Sequence, residues 1–282
     1  MRKIIFSFLC IIVINQQLIS QNEDARYKGK TVFPFGVVEK IDSKELSEQR
    51  ILNIYLPLGY HPDSLTTYPT IYVLDGSQNE DFPHIAGLVQ FMNMYDLVPK
   101  SIVVGIANVN RYRDFTYPST VKRDKKDIPT SGGSEKFINF IEKEVQPFIT
   151  KNYKTNTHKT IIGQSLGGLV ATEMLLKKHA LFDDYIIVSP SLWWDDEKLV
   201  GKAHDFFKLN NTLKKRIFIS LGKEHPTMHK VADKLVDAIK TSKNEHIELY
   251  YEPILEEDHA TILHKAVYLA FEKLYKKDKK LK

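Results

Sequence analysis

The stretch Thr160-Ile161-Ile162-Gly163-Gln164-Ser165-Leu166-Gly167-Gly168-Leu169 decides how this chain is read. β-Branched residues run into Gly-x-Ser-x-Gly, and an amphipathic run from Leu169 to Lys178 follows. A serine between glycines is common in loops, so the pattern alone says little. With a strand before and a helix after, it matches a nucleophile elbow, a strained turn whose flanking glycines let strand and helix approach closely. Ser165 is therefore the candidate nucleophile.

A serine hydroxyl attacks only when a base takes its proton. The chain has ten histidines, and the order Ser…acid…His selects among them. His259 follows a strand-like segment at 248–251 and the polar loop Glu256-Glu257-Asp258, and it precedes the last helical segment. His264 is the competitor, placed inside that helix. The orienting acid belongs just after the preceding strand, where Gly222-Lys223-Glu224-His225 offers Glu224. Asp233 and Asp258 are alternatives, and an acid at Glu224 would also suit a helix start. The expected oxyanion donors are backbone amides, that of Leu166 and one from Leu74-Asp75-Gly76-Ser77-Gln78, with Ser77 or Gly76 the choice. His225 and His229 are four apart and could share a helix face, but no third ligand accompanies them. No metal and no organic cofactor is expected.

Outward from the elbow, apolar runs alternate with amphipathic ones. Strands are expected at 32–38, 51–56, 70–74, 102–106, 160–163, 185–188, 216–221 and 248–251. The middle runs are almost wholly apolar, as strands buried on both faces are. The fold class is α/β: a mostly parallel central sheet of about eight strands with helices on both faces. Ser134 is the expected N-cap of a helix carrying Phe137, Phe140, Ile141, Val145 and Phe148 on one face. Pro226 is expected to open another helix, and the last runs from Ala260 to Lys276.

Of the 282 residues, 43% are hydrophobic and 27% charged, which excludes a disordered or membrane-embedded chain. No linker or repeat divides 21–282, so a single domain is expected there. The formal net charge of +5 sits largely at the ends, in Arg2 and Lys3 and in Lys276, Lys277, Lys279, Lys280 and Lys282. No basic stripe interleaved with aromatics occurs in the body, so no nucleic-acid partner is expected. The first 20 residues, a basic start, the apolar run Ile4 to Ile14 and a polar end, have the layout of a cleavable signal peptide. An uncleaved anchor is the alternative. Cleavage after Ser20 would remove the only cysteine, Cys10, and leave a periplasmic or extracellular protein without stable membrane insertion.

Five segments together resemble the esterase D-like family of α/β-hydrolases. They are Tyr72-Val73-Leu74-Asp75-Gly76, Val104-Gly105-Ile106, Arg111-Tyr112-Arg113-Asp114-Phe115-Thr116, Gly163-Gln164-Ser165-Leu166-Gly167-Gly168 and Ser189-Pro190-Ser191-Leu192-Trp193-Trp194. The glutamine before the serine and the Ser-Pro-Ser-x-Trp-Trp segment look most like the enterobactin-type siderophore esterases. The resemblance implies an α/β-hydrolase fold and an acyl-enzyme on Ser165, with His259 as base. It also implies a small-molecule or glycan-linked ester as substrate: a siderophore, a feruloylated or acetylated polysaccharide, or a generic short acyl ester. Acyl transfer, peptidase activity and non-catalytic binding of a siderophore or glycan are the rival readings. Arg111 and Arg113 lie where ligands enter open α/β sheets, and they are candidates for an anionic substrate or for an internal ion pair with Asp114. Trp193 and Trp194 are candidates to stack on a substrate ring or to wall the pocket.

Overall fold

A computed structural model of the chain describes residue 29 and residues 33–275. The expected signal peptide and the lysines beyond 275 lie outside the described residues. Within the compact unit Gly36–Lys282, eight strands form one sheet: β1 Val37–Ser43, β2 Glu48–Tyr55, β3 Tyr68–Val73, β4 Ile102–Ile106, β5 Thr155–Gln164, β6 Asp184–Val188, β7 Lys215–Ser220 and β8 Ile247–Tyr251. Their order is β1-β2-β4-β3-β5-β6-β7-β8. Both pairings of β2, with β1 and with β4, are antiparallel, and all the others are parallel. Every residue of β4 and of β6 is buried, which explains why β4 and, after Asp184, β6 are unbroken apolar runs.

The helices are α1 Phe82–Met94, α2 Arg111–Phe115, α3 Lys122–Asp127, α4 Ser134–Phe140, α5 Gln146–Asn152, α6 Leu166–Lys177, α7 Ala203–Leu209, α8 Pro226–Thr241 and α9 Ile262–Leu274. Right-handed crossovers decide their faces. The chain steps one way from β3 to β4, which puts α1 on one face. From β5 onward it steps the other way through β6, β7 and β8, which puts α6 and α8 on the opposite face. After β8, α9 returns to pack on α1, β6 and β7. The reversal falls between β3 and β5, so the ends of these two strands open the crevice where ligands bind in such sheets. Asp75 follows β3 there, and Ser165 follows β5.

Three expectations at element ends are corrected. The strand expected at 32–38 begins at Val37 and runs to Ser43, pairing Val37 with Ile54 and Ser43 with Glu48 in a hairpin. The apolar residues ahead of it misled the reading: Phe33 is 83% exposed, and Pro34 has no N–H to give a ladder. Gly133, not Ser134, caps α4; Ser134 is its first helical residue, with a fully buried hydroxyl that has no hydrogen-bond partner among the described residues. The helical run 134–152 is also not uniform, because a π turn, Ile141–Val145, separates α4 from α5. Pro147 stands two residues beyond the end of that turn, and its missing N–H breaks the regular ladder there.

Candidate active site

The elbow is built by sterics. Ser165 has φ 59° and ψ −118°, outside the regions a side chain prefers. Its N–H donates to Val188 O at 3.0 Å, and its carbonyl accepts from Leu169 N and Ser191 N, each at 3.0 Å. A Cβ on Gly163 would lie 2.4 Å from the carbonyl oxygen of Gly167, so strand and helix can pass this closely only with glycine. Helix α6 then carries the elbow into the core, with every residue from Leu166 to Leu176 buried.

Two loops bring His259 and Glu224 to the Ser165 hydroxyl. His259, from the loop between β8 and α9, places Nε2 3.1 Å from Ser165 Oγ. Glu224, from the loop after β7, places Oε2 3.0 Å from His259 Nδ1. The Glu224 side chain is 3% exposed and that of His259 is 47% exposed. Burial alone would raise the Glu224 carboxyl, but the bonds from His259 and Ser189 outweigh it and hold the group below the ordinary glutamate range. An ionised Glu224 accepts only, so Nδ1 carries the proton and Nε2 is left to accept from Ser165. The carboxylate also accepts from Gly222 N at 3.2 Å and from Ser189 Oγ. The His259 carbonyl accepts from the Gln164 side chain, which ties the histidine loop to the residue before the nucleophile.

The alternatives are occupied elsewhere. His264 lies on α9 edge-on to His84, with ring centroids 6.4 Å apart. Asp233 accepts from Tyr251 Oη at 2.7 Å, and Asp258 accepts from Ala260 N at 2.8 Å. His225 caps α8, its Nδ1 accepting from Thr227 N at 3.2 Å.

On the oxyanion side, the N–H of Leu166 is the first of α6, one of the four that a helix leaves without an internal acceptor. Gly76 is excluded as the second donor, because its N–H donates to Ile106 O at 3.0 Å. The next amide, that of Ser77, donates to Glu80 Oε2 at 3.2 Å.

The arginines and tryptophans divide. Arg111 Nε and NH2 donate to Asp75 Oδ1 and Oδ2 at 2.6 and 2.9 Å, and NH2 also reaches Gln164 O at 3.4 Å. This clamp joins the end of β3 to the residue ahead of Ser165, and it holds Asp75 in a left-handed conformation at φ 53°. Arg113 is corrected to a structural role. Its guanidinium is used up on Glu48 Oε1 and Oε2 at 2.6 and 3.1 Å and on Asp114 Oδ1 at 2.7 Å. The same acids neutralise Arg50, fully buried, with Asp114 Oδ2 at 2.6 Å and Glu48 Oε1 at 2.9 Å. Trp194 is likewise corrected to packing. It is fully buried, donates from Nε1 to Tyr117 O at 2.9 Å, and its own carbonyl accepts from Tyr117 Oη at 3.1 Å. Trp193, partly exposed, and Trp194 both wall a hollow of about 190 Å³ with Arg123, Asp124, Asp127 and Ile128. A second hollow of about 450 Å³, between Lys223, His225, Met228 and Ala260, opens beside His259 and Glu224.

Sequence reasoning missed Ser191, whose Oγ lies 3.4 Å from Ser165 Oγ, and Ser189, the second partner of Glu224. Both stand in the Ser-Pro-Ser segment, which the sequence displays, but nothing local says which residues they face. Glu80 was missed altogether.

This geometry can work as a nucleophile, its base and an orienting acid. Over 193 residues, 62% of this chain and 66% of the relative, the protein is 31% identical to the ferri-bacillibactin esterase BesA of Bacillus subtilis. It is 30% identical over 125 residues, 42% of each chain, to the siderophore triacetylfusarinine C esterase of Aspergillus fumigatus. The chain thus spans less than two thirds of the length of either relative. An IroE-like serine hydrolase of Shewanella oneidensis superposes with a TM-score of 0.78 at 28% identity, covering 86% of this chain and 80% of that one. The model of the Putative esterase family matches residues 43–267. That match takes in the elbow, both loops that carry Glu224 and His259, and nearly the whole sheet, and the chain belongs to the Putative esterase family.

Proposed function

We propose that the chain is an exported serine esterase that cleaves the ester bonds of a small-molecule siderophore. The observation that carries the reaction is the unbroken chain Ser165 Oγ, His259 Nε2, His259 Nδ1, Glu224 Oε2, with links of 3.1 and 3.0 Å. His259 takes the proton as Ser165 Oγ attacks the ester carbonyl. The oxyanion is stabilised by the Leu166 N–H, with the Ser77 N–H as second donor. His259 then gives its proton to the departing alkoxide, which leaves as an alcohol and an acyl-Ser165. A water deprotonated by the same histidine attacks the acyl group, and collapse of that intermediate returns the proton to Ser165.

The siderophore part of the reading is supported by the names of the two relatives above, both siderophore esterases. The partly exposed Trp193 offers a flat face on which an aromatic ring of the substrate can stack. Export rests on residues 1–20, and N-terminal sequencing of protein recovered outside the cytoplasm, beginning at residue 21, is the result expected for it. The substrate is tested by mass analysis after incubation with a cyclic catecholate trilactone, a hydroxamate ester siderophore and feruloyl and acetyl polysaccharides. Gain of one water by a siderophore, ring-opened and then shortened, is expected. Cleavage of the polysaccharide esters alone would contradict the substrate reading while leaving the mechanism in place.

A further inference from the structure

The turn after β3 carries an acid where ester hydrolysis does not call for one. Ser77-Gln78-Asn79-Glu80 reads as a capping box, the S-x-x-E pattern in which the acid reaches back to the first residue's N–H. The structure has that contact, with Ser77 N–H donating to Glu80 Oε2 at 3.2 Å and Glu80 N–H donating to Ser77 O at 3.1 Å. Gly76 N–H is committed to the sheet, so the next amide along the chain, that of Ser77, is the one left to serve as the second oxyanion donor. The loop lies against the elbow: a Cβ on Gly167 would meet Asp75 Oδ2 at 3.5 Å and Leu74 Cβ at 3.6 Å.

An oxyanion and a carboxylate compete for one N–H, and both are negative, so they cannot share it without repulsion. We propose that Glu80 is a removable plug on the second oxyanion donor, a residue that sets which esters are turned over by how readily they draw its carboxylate away from Ser77. The proposal rests on the reading of Ser165 as nucleophile.

Two observations make the plug removable. Glu80 is exposed, and its other hydrogen-bond partner among the described residues is Asn108 Nδ2, at 3.2 and 3.4 Å. That nitrogen is already engaged with Asp75 Oδ1 at 2.6 Å, so it is a weak second hold. Two neighbouring acids repel the Glu80 carboxylate and one cation attracts it: Asp75 is itself paired with Arg111, the Asp81 carboxyl is pushed up to about 7, by burial first and then by Asp75 and Glu80, and the Arg111 charge acts on Glu80 as well. Esters that carry an amide N–H, a hydroxyl or an ammonium near the scissile carbonyl offer Glu80 a new partner and open the hole as they bind. Small aryl esters offer none and meet the plug.

The test is the rate at which a fluorophosphonate probe labels Ser165, since its phosphonyl oxygen enters the same oxyanion site and no natural substrate is needed. Glu80→Gln keeps the shape of the turn and removes the charge; Glu80→Ala removes the plug. Both are expected to label about three- to tenfold faster than wild type, the size of effect a nearby exposed charge has on a developing anion. A residue that merely holds the loop in shape would slow labelling when replaced, so a gain in rate is specific to the plug. Rates equal to or below wild type in both variants overturn the plug and leave Ser165 as nucleophile. Absence of labelling in wild type and both variants overturns the nucleophile assignment, and the plug falls with it.

Discussion

At the scale of the residue, Glu224 shows how a weak local signal becomes a defined role. Its side chain is 3% exposed, yet it stays ionised because His259 and Ser189 both bond to it. That charge fixes the proton on His259 Nδ1 and leaves Nε2 free to accept. Glu224→Gln keeps the size and loses the charge, so the wrong tautomer competes. The expected result is a kcat reduced by about 10³-fold with KM changed by roughly threefold at most, read by steady-state hydrolysis of an aryl ester. Glu224 stood among three acids in the sequence. What separates them is contact with Ser189, 35 residues away, and such a contact has no local signature. Glu80 is the converse case: its capping-box pattern is local and legible, but its importance depends on which amide lies next to the nucleophile.

At the scale of the element, the elbow and the tryptophan turn contrast two ways of holding strain. The elbow was legible because glycine marks it: a Cβ at 163 meets backbone at 2.4 Å. Gly163→Ala is expected to destabilise the fold by roughly 2–4 kcal/mol, measured by denaturant unfolding, because backbone rather than a flexible side chain must move. The turn after Trp194 carries no such mark. Asp195, Asp196 and Glu197 have φ of 50°, 55° and 63°, three successive left-handed residues at about 1–2 kcal/mol each. The Asp195 carboxylate holds the turn by accepting from Thr120 N at 2.6 Å, Thr120 Oγ1 at 2.9 Å and Ser119 Oγ at 3.1 Å. Asp195→Ala is expected to cost about 2 kcal/mol and to lower kcat/KM more for a bulky aromatic ester than for a small one, since Trp193 hangs from this turn. A small ester affected as much as the bulky one would contradict that. Element boundaries were least legible where burial did not enforce a pattern, as in β1, whose residues are mostly exposed.

At the scale of the whole molecule, the site exists because the winding of the sheet reverses between β3 and β5. The parallel strands were legible as buried apolar runs. The network that ties β2 to α2 was not: Arg50 and Asp114 are both fully buried and 2.6 Å apart, and nothing in their sequence surroundings marks either as interior. Asp114→Ala leaves Arg50 buried without its nearest partner, and a loss of about 3–5 kcal/mol is expected in chemical unfolding. Stability should also depend on pH through Asp81. Its carboxyl is raised to about 7 in the folded chain, against roughly 3.9 when unfolded. The folded state therefore keeps a proton that the unfolded state gives up, and stability falls as pH rises from about 4 to 7. Asp81→Asn removes this dependence, so its Tm advantage over wild type should grow between pH 5 and pH 8. Reaction class belongs to this scale too, since it requires the elbow, the acid loop and the histidine loop together. The most direct test is hydrolysis of a short activated aryl ester by wild type and Ser165→Ala under identical conditions. Turnover by wild type that drops by about 10⁴-fold or more in the variant is the predicted result; equal turnover by the two proteins would show that Ser165 is not the nucleophile.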